Sequence, residues 1–225
     1  MSLNAFILGA TGLCGSGFLK VAEKSASFAK ITTLTRRELP TQHSAKVVSI
    51  VNKDSETWGT LIPDEVNVFF SGLATTRGQA GSQENFYKID HDMNVDLAKA
   101  AKAKGCNTCV IVSSAGANEN SRLFYFRVKG EIEKDIIALG FDKTIILRPG
   151  PLLGDRGQND KGFLNAASAK IGSYFYRSRL QGLVGHPVYG DEVAKVGVKL
   201  ATDLTTTKKV QIVESAEILR LAKEQ

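Results

Sequence analysis

The stretch GATGLCG, Gly9 to Gly15, places three glycines three residues apart immediately after the apolar run AFIL. A buried strand that ends in such a turn and passes straight into a helix constrains the fold more than any other feature of the chain. The helix start presents unpaired N–H groups and the positive end of the helix dipole, a setting made for phosphate. Gly9 then turns the chain sharply, Gly12 lets backbone approach a pyrophosphate, and Gly15 lets the helix pack close on the sheet.

The remaining sequence keeps this alternation. Short apolar runs predict strands over 5–8, 31–35, 46–51, 66–71, 108–113, 144–148 and 209–213. Amphipathic patterns predict helices over 12–25, 87–104, 125–139, 162–180, 191–202 and 215–223. Apolar strands alternating with helices imply an α/β fold, a doubly wound parallel sheet of the Rossmann type. Residues 1–225 read as one domain. The irregular part, 151–190, carries Pro151, Pro187 and many glycines and reads as a small substrate lobe or lid inserted over the carboxyl edge of the sheet.

A hydrophobic fraction of 43% supports a packed core, and a net charge of +6 suits anionic small ligands, acidic lipid surfaces or nucleic acid. No Lys/Arg block, RNP-like motif or zinc-finger spacing accompanies the charge, so nucleic acid is not an expected partner. Cys14, Cys106 and Cys109 do not form a secreted disulfide framework, which points to a reducing compartment. The apolar runs fall far short of a membrane span. With a strand beginning by residue 5, a cleavable presequence is not expected.

The second strand ends in TLTRREL, with Arg36 and Arg37 where an NAD-preferring site carries an acidic residue. Arginine forks suit a 2′-phosphate, so NADP(H) is favoured. Asn52 to Asp54, after the third strand, would lie near an adenine. The loop SGLATTRG after the fourth would line the nicotinamide ribose side.

The fifth strand ends in VIVSSAGA, and Tyr125 and Lys129 follow in YFRVK. At i, i+4 they share one helix face. An ammonium beside a phenol favours the phenolate, and a serine hydroxyl, Ser113 or Ser114, can hold a carbonyl or alcohol oxygen. Such a set suits hydride exchange with a nicotinamide.

The order GATGLCG, SSAGA, YFRVK, RPGPLLG resembles the short-chain dehydrogenase/reductase superfamily in its atypical branch. With RREL, LATTRG, KIDHD, KGEIEKD and PVYGDEVAKVGV, nearly the whole chain resembles the family of the human Tat-interactive protein, in its fungal mitochondrial branch. The resemblance implies NADP(H) binding and, for that branch, peripheral association with the mitochondrial outer membrane. It puts the catalytic pair on Tyr125 and Lys129. It puts cofactor contacts on Gly9, Thr11, Gly12, Leu13, Cys14, Arg36, Arg37, Leu73, Ala74, Thr75 and the Pro149–Leu152 turn with Gly150; the glycine stretch itself adds Gly15, and Lys129 would also bind the ribose. Asn94 stands roughly where many members of the superfamily complete a proton relay, and equally where an asparagine would stabilise a helix kink.

Other signals carry less. Cys106 and Cys109 read as small buried residues, Cys14 as a helix-start thiol open to redox sensitivity, and His43, His91 and His186 lack metal spacing. The basic, apolar stretch 162–186, with Phe163, Ile171, Tyr174, Phe175 and Leu180 beside Lys170, Arg177 and Arg179, reads as a lid over substrate or as an amphipathic helix on an anionic membrane. Homodimerisation through helix faces is open. Two functions compete: an NADP(H)-dependent oxidoreductase acting on a carbonyl or alcohol, and an NADPH-sensing interaction protein with little turnover.

Overall fold

The computed structural model describes residues 2–154, 174–178 and 180–224. The strands, in chain order, are β1 (Leu3–Leu8), β2 (Phe28–Thr35), β3 (Val47–Val51), β4 (Val68–Ser71), β5 (Thr108–Val112), β6 (Lys143–Arg148), β7 (Leu152–Leu153), β8 (Val188–Tyr189) and β9 (Val210–Glu214). The helices are α1 (Leu13–Lys24), α2 (Arg77–Ala80), α3 (Gln83–Tyr87), α4 (Met93–Ala103), α5 (Phe124–Ala138), α6 (Gly190–Thr202) and α7 (Ser215–Leu221).

Seven strands form one sheet in the order β3-β2-β1-β4-β5-β6-β9. Every pairing within it is parallel. The expected doubly wound sheet is present, with each predicted strand in place within a few residues. The order reverses between β1 and β4, the point at which ligands bind such sheets. Register brings the two strands to the same height: Leu8 pairs with Ser71, so the turns that follow, at Gly9 and Gly72, lie side by side.

Each face of the sheet carries its own core. Phe18, Phe28, Phe70, Ile145 and Val196 pack beneath α1, α6 and α7. Phe6, Trp58, Phe69, Phe86, Ile132 and Ile136 pack beneath α4 and α5. Adjacent Phe69 and Phe70 serve opposite faces, as strand periodicity requires.

Three local features differ from expectation. The helix expected at 87–104 starts earlier, as α3, and passes through one π-helical turn at Lys88–Asp92 before continuing as α4. Trp58 lies buried in a 3-10 turn, Ser55–Leu61, that its polar neighbours disguise. Within the described part of 151–190, Leu152 and Leu153 pair with Val188 and Tyr189 as a small separate sheet. Most of the helix expected at 162–180, with Phe163, Lys170, Ile171 and Arg179, lies outside the described residues.

Candidate functional site

The glycine turn does three different jobs. Gly9 adopts φ +77°, a conformation a side chain resists, and a Cβ there would meet the Leu73 nitrogen at 2.7 Å. A Cβ on Gly15 would fall 2.0 Å from the Gly9 carbonyl oxygen, and one on Gly72 2.6 Å from the Gly15 nitrogen. Three backbones therefore touch where β1, α1 and the end of β4 meet. Gly12 is different. Its φ of −97° suits any residue, and a Cβ would meet the Gly9 carbonyl oxygen at 3.3 Å, a tight contact and not an overlap.

The start of α1 is left unfurnished. Thr76 and Ser82 cap α2 and α3 through their side chains. Gly12 offers α1 no side-chain cap, and its first turn holds no acidic residue. Thr11, Gly12 and Leu13 are half-buried around this end and Cys14 is buried beneath it. At the end of β2, the Thr35 hydroxyl is buried with no hydrogen-bond partner among the described residues, and Arg36 and Arg37 follow, exposed. An open helix start with two exposed guanidinium groups close by in sequence suits the phosphates of a dinucleotide. Asn52 and Asp54 hold the turn that follows β3. The Asn52 carbonyl accepts from the Trp58 ring nitrogen at 3.1 Å, and the Asp54 carboxylate caps the 3-10 turn at the Glu56 N–H.

The loop Leu73–Thr75 is clamped by the π-helical turn. Asn94 donates through Nδ2 to the Leu73 carbonyl at 3.2 Å and to the Asp90 carbonyl at 2.8 Å. Its Oδ1 accepts from the Ser71 hydroxyl at 2.5 Å. Asn94 thus ties the π-helical turn to the end of β4 and the loop that follows it. His91 pins the same turn to α5, with its ring nitrogens 2.9 Å from Asp92 and 3.0 Å from Asp135 and its face on Tyr87. Asp90, fully buried, accepts the Thr75 N–H at 2.7 Å.

Lys129 lies on the face of α5 toward this turn, almost fully buried, with Nζ 2.7 Å from Asp90 Oδ1. Burial opposes its charge, but the Asp90 carboxylate, with Tyr125 and Glu133 nearby, outweighs that and holds the ammonium above its ordinary range. Tyr125, one turn earlier, is 37% exposed, its ring edge-on to Phe86 and Phe126. Sequence reasoning placed Lys129 beside Tyr125 but missed Asp90, because an acid in KIDHD looks like any solvated helix residue.

The two serines separate clearly. Ser113 is buried and donates to Glu133 at 2.5 Å. Glu133 is itself held by Arg148 through Nε at 2.9 Å, and the same guanidinium reaches Glu214. Ser114 is half-buried, and among the described residues its hydroxyl makes a single 3.2 Å contact, with the neighbouring Ala115 carbonyl. The turn after β6 closes this side: the Pro149 carbonyl accepts from Ala115 N–H, Gly150 donates to Ser215, and Leu152 begins β7. The candidate residues on β1, β2, β4, β5 and β6 therefore share the carboxyl edge of the sheet.

Cys106 and Cys109 are buried as expected, and burial pushes the Cys106 thiol up to about 11. His43 bonds Glu23 and Thr41. Among the described residues no cluster suits a metal ion, and no helix is long and apolar enough to cross a membrane.

Comparison with known proteins fits this picture. The UDP-N-acetylglucosamine 4-epimerase of Methanobrevibacter ruminantium superposes with a TM-score of 0.70 at 18% identity, covering 99% of this chain and 80% of that one. Bordetella bronchiseptica WbmH, solved in complex with NAD+, gives 0.66 at 15% identity, covering 99% and 80%. At these identities the likeness is one of fold. In sequence, a family model described as HIM1 matches residues 64–178. The mitochondrial protein FMP52 of Kluyveromyces lactis is 60% identical over 99% of this chain and 100% of its own. FMP52 of Saccharomyces cerevisiae is 53% identical over 98% and 96%. An α/β chain so similar along its whole length to these proteins belongs to the FMP52 family.

Proposed function

We propose that the protein is an NADP(H)-dependent oxidoreductase of the short-chain dehydrogenase type that acts on a carbonyl or alcohol. The observation that carries this reading is the open glycine turn beside the Leu73–Thr75 loop, to which Asp90 ties Lys129, with Tyr125 one turn earlier on the same helix. A bound nicotinamide dinucleotide would supply hydride exchange. Gly9–Gly15 would hold its pyrophosphate, and Arg36 and Arg37 a 2′-phosphate. Tyr125, the most exposed of the three reactive side chains, would give a proton to, or take one from, the reacting oxygen. Ser114, whose hydroxyl is the less engaged of the two serines, would position that oxygen. Lys129 would bind ribose and keep positive charge near the phenol.

The name carried by the relatives supports a mitochondrial setting. Peripheral attachment to the outer membrane, as in the fungal branch of the Tat-interactive protein family, is part of the proposal and would have to be made through surface residues.

A second reading rests on a specific contact. The Lys129 ammonium is already matched by Asp90, which lessens its field at Tyr125. That arrangement suits an NADPH-binding protein whose partner choice, rather than turnover, follows the cofactor. The deciding experiment is NADPH oxidation by the purified protein across aldehydes, ketones and quinones, with Tyr125→Phe alongside. Turnover that collapses in the variant while NADPH still binds supports the reductase. Tight NADPH binding with no turnover across the panel favours the sensor.

A further inference from the structure

Asp90 does more than neutralise a lysine. Its two carboxylate oxygens are divided between two separate pieces of the site: Oδ2 takes the Thr75 N–H at 2.7 Å, and Oδ1 takes Lys129 Nζ at 2.7 Å. The residue is fully buried and Lys129 nearly so. It stands on the single π-helical turn of the long helix, Lys88–Asp92. Such turns are uncommon and frequent at functional sites, because the extra residue re-aims side chains that an α-helix would send elsewhere. The main-chain carbonyl of the same residue is held by Asn94, which also holds Leu73.

An ammonium has three N–H groups. Asp90 takes one, and it is the one hydrogen bond Lys129 Nζ makes among the described residues, so Asp90 fixes the direction of the other two. A buried ion pair by itself says little about stability, since apolar replacements often serve as well. A buried carboxylate that splits its oxygens between a loop N–H and a lysine is better explained by geometry.

We propose that Asp90 is a positioning residue of the cofactor site, joining the Leu73–Thr75 backbone to Lys129 so that both meet the nicotinamide ribose as one unit. This rests on the dinucleotide-binding reading above. It implies that Asp90 matters to the nicotinamide half of the cofactor and not to the adenosine half.

The test compares binding of NADPH with binding of 2′,5′-ADP, which lacks the nicotinamide ribose, by titration calorimetry. Asp90→Asn leaves Lys129 buried without a counter-charge, so folding is checked by thermal melting. Asp90→Glu keeps the charge but adds a methylene that cannot serve both partners at their present distances. For either folded variant, NADPH binding is expected to weaken about tenfold or more while 2′,5′-ADP binding stays within about twofold. Parallel losses for both ligands, or no loss for either in folded Asp90→Glu, would overturn the proposal and leave the cofactor reading intact. Wild-type protein that binds neither ligand would overturn both.

Discussion

Gly15 sits so close beneath Gly9 that a methyl group on it would lie 2.0 Å from the Gly9 carbonyl oxygen. The neighbour is backbone and cannot swing aside. Gly15→Ala is expected to destabilise the fold by at least about 3 kcal/mol, the upper end of ordinary overpacking. Gly12→Ala meets the same oxygen at 3.3 Å in a permitted conformation and should cost no more than about 1 kcal/mol. If the turn holds a pyrophosphate, the added methyl would stand in its way. Thermal melting and NADPH titration on both variants check this: Gly15→Ala should lose the fold, and Gly12→Ala should keep it and lose the ligand.

Arg36 and Arg37 are exposed at the end of β2, beyond the Thr35 hydroxyl, which has no partner among the described residues. If they grip a 2′-phosphate, removing both deletes a charge-assisted contact that NADH never makes. Arg36→Ala/Arg37→Ala should weaken NADPH binding by about tenfold or more and NADH binding by less than about twofold. Parallel losses for the two cofactors would remove the preference from these residues.

The glycine turn and the sheet were legible because their physics is local. A parallel strand covered on both faces is apolar through its buried length, as in Val68, Phe69 and Phe70, and a glycine demanded by backbone contact leaves its mark at a fixed spacing. The parts that escaped are set by long-range partners. Asp90 and Lys129 stand 39 positions apart, and neither betrays the other in the sequence. A five-residue π-helical turn is shorter than the window of about 11 residues over which a period can be read, and β7 and β8 hold two residues each. The different surroundings of Ser113 and Ser114 depend on Glu133, a residue of α5 that reads as one more charged helix position.

Glu23 gives the fold a dependence on acid. Burial opposes its charge, but His43 at 2.8 Å and the Ser44 N–H at 2.5 Å outweigh this and hold the carboxyl down to about 2. A carboxyl with a depressed folded value stabilises the protein above its unfolded value, about 4.3, and loses that contribution as pH falls toward 2. Solvent reaches 20% of the side chain, so the contribution is on the order of 1–2 kcal/mol, less than the full shift would imply. Glu23→Gln should melt below wild type at pH 7 and converge on it between about pH 4.5 and 2. A constant gap across that range would show that the loss was not one of charge.

Ser113 and Ser114 give opposite expectations from adjacent positions. Ser113 donates to Glu133, which Arg148 continues to hold when the serine is gone. Ser113→Ala therefore removes one hydrogen bond from a carboxylate that keeps its main partner, at a cost of about 1 kcal/mol in stability. Its effect on turnover should be small, within about threefold. Ser114 contributes little to the fold, since among the described residues its hydroxyl contacts the next carbonyl alone. If it positions the reacting oxygen, Ser114→Ala should leave melting unchanged and lower kcat by about a hundredfold with the carbonyl compound the substrate panel identifies. NADPH binding should survive in both. A hundredfold loss in Ser113→Ala with an unaffected Ser114→Ala would transfer the role to the buried serine, and would require Glu133 and Arg148 to open when substrate binds.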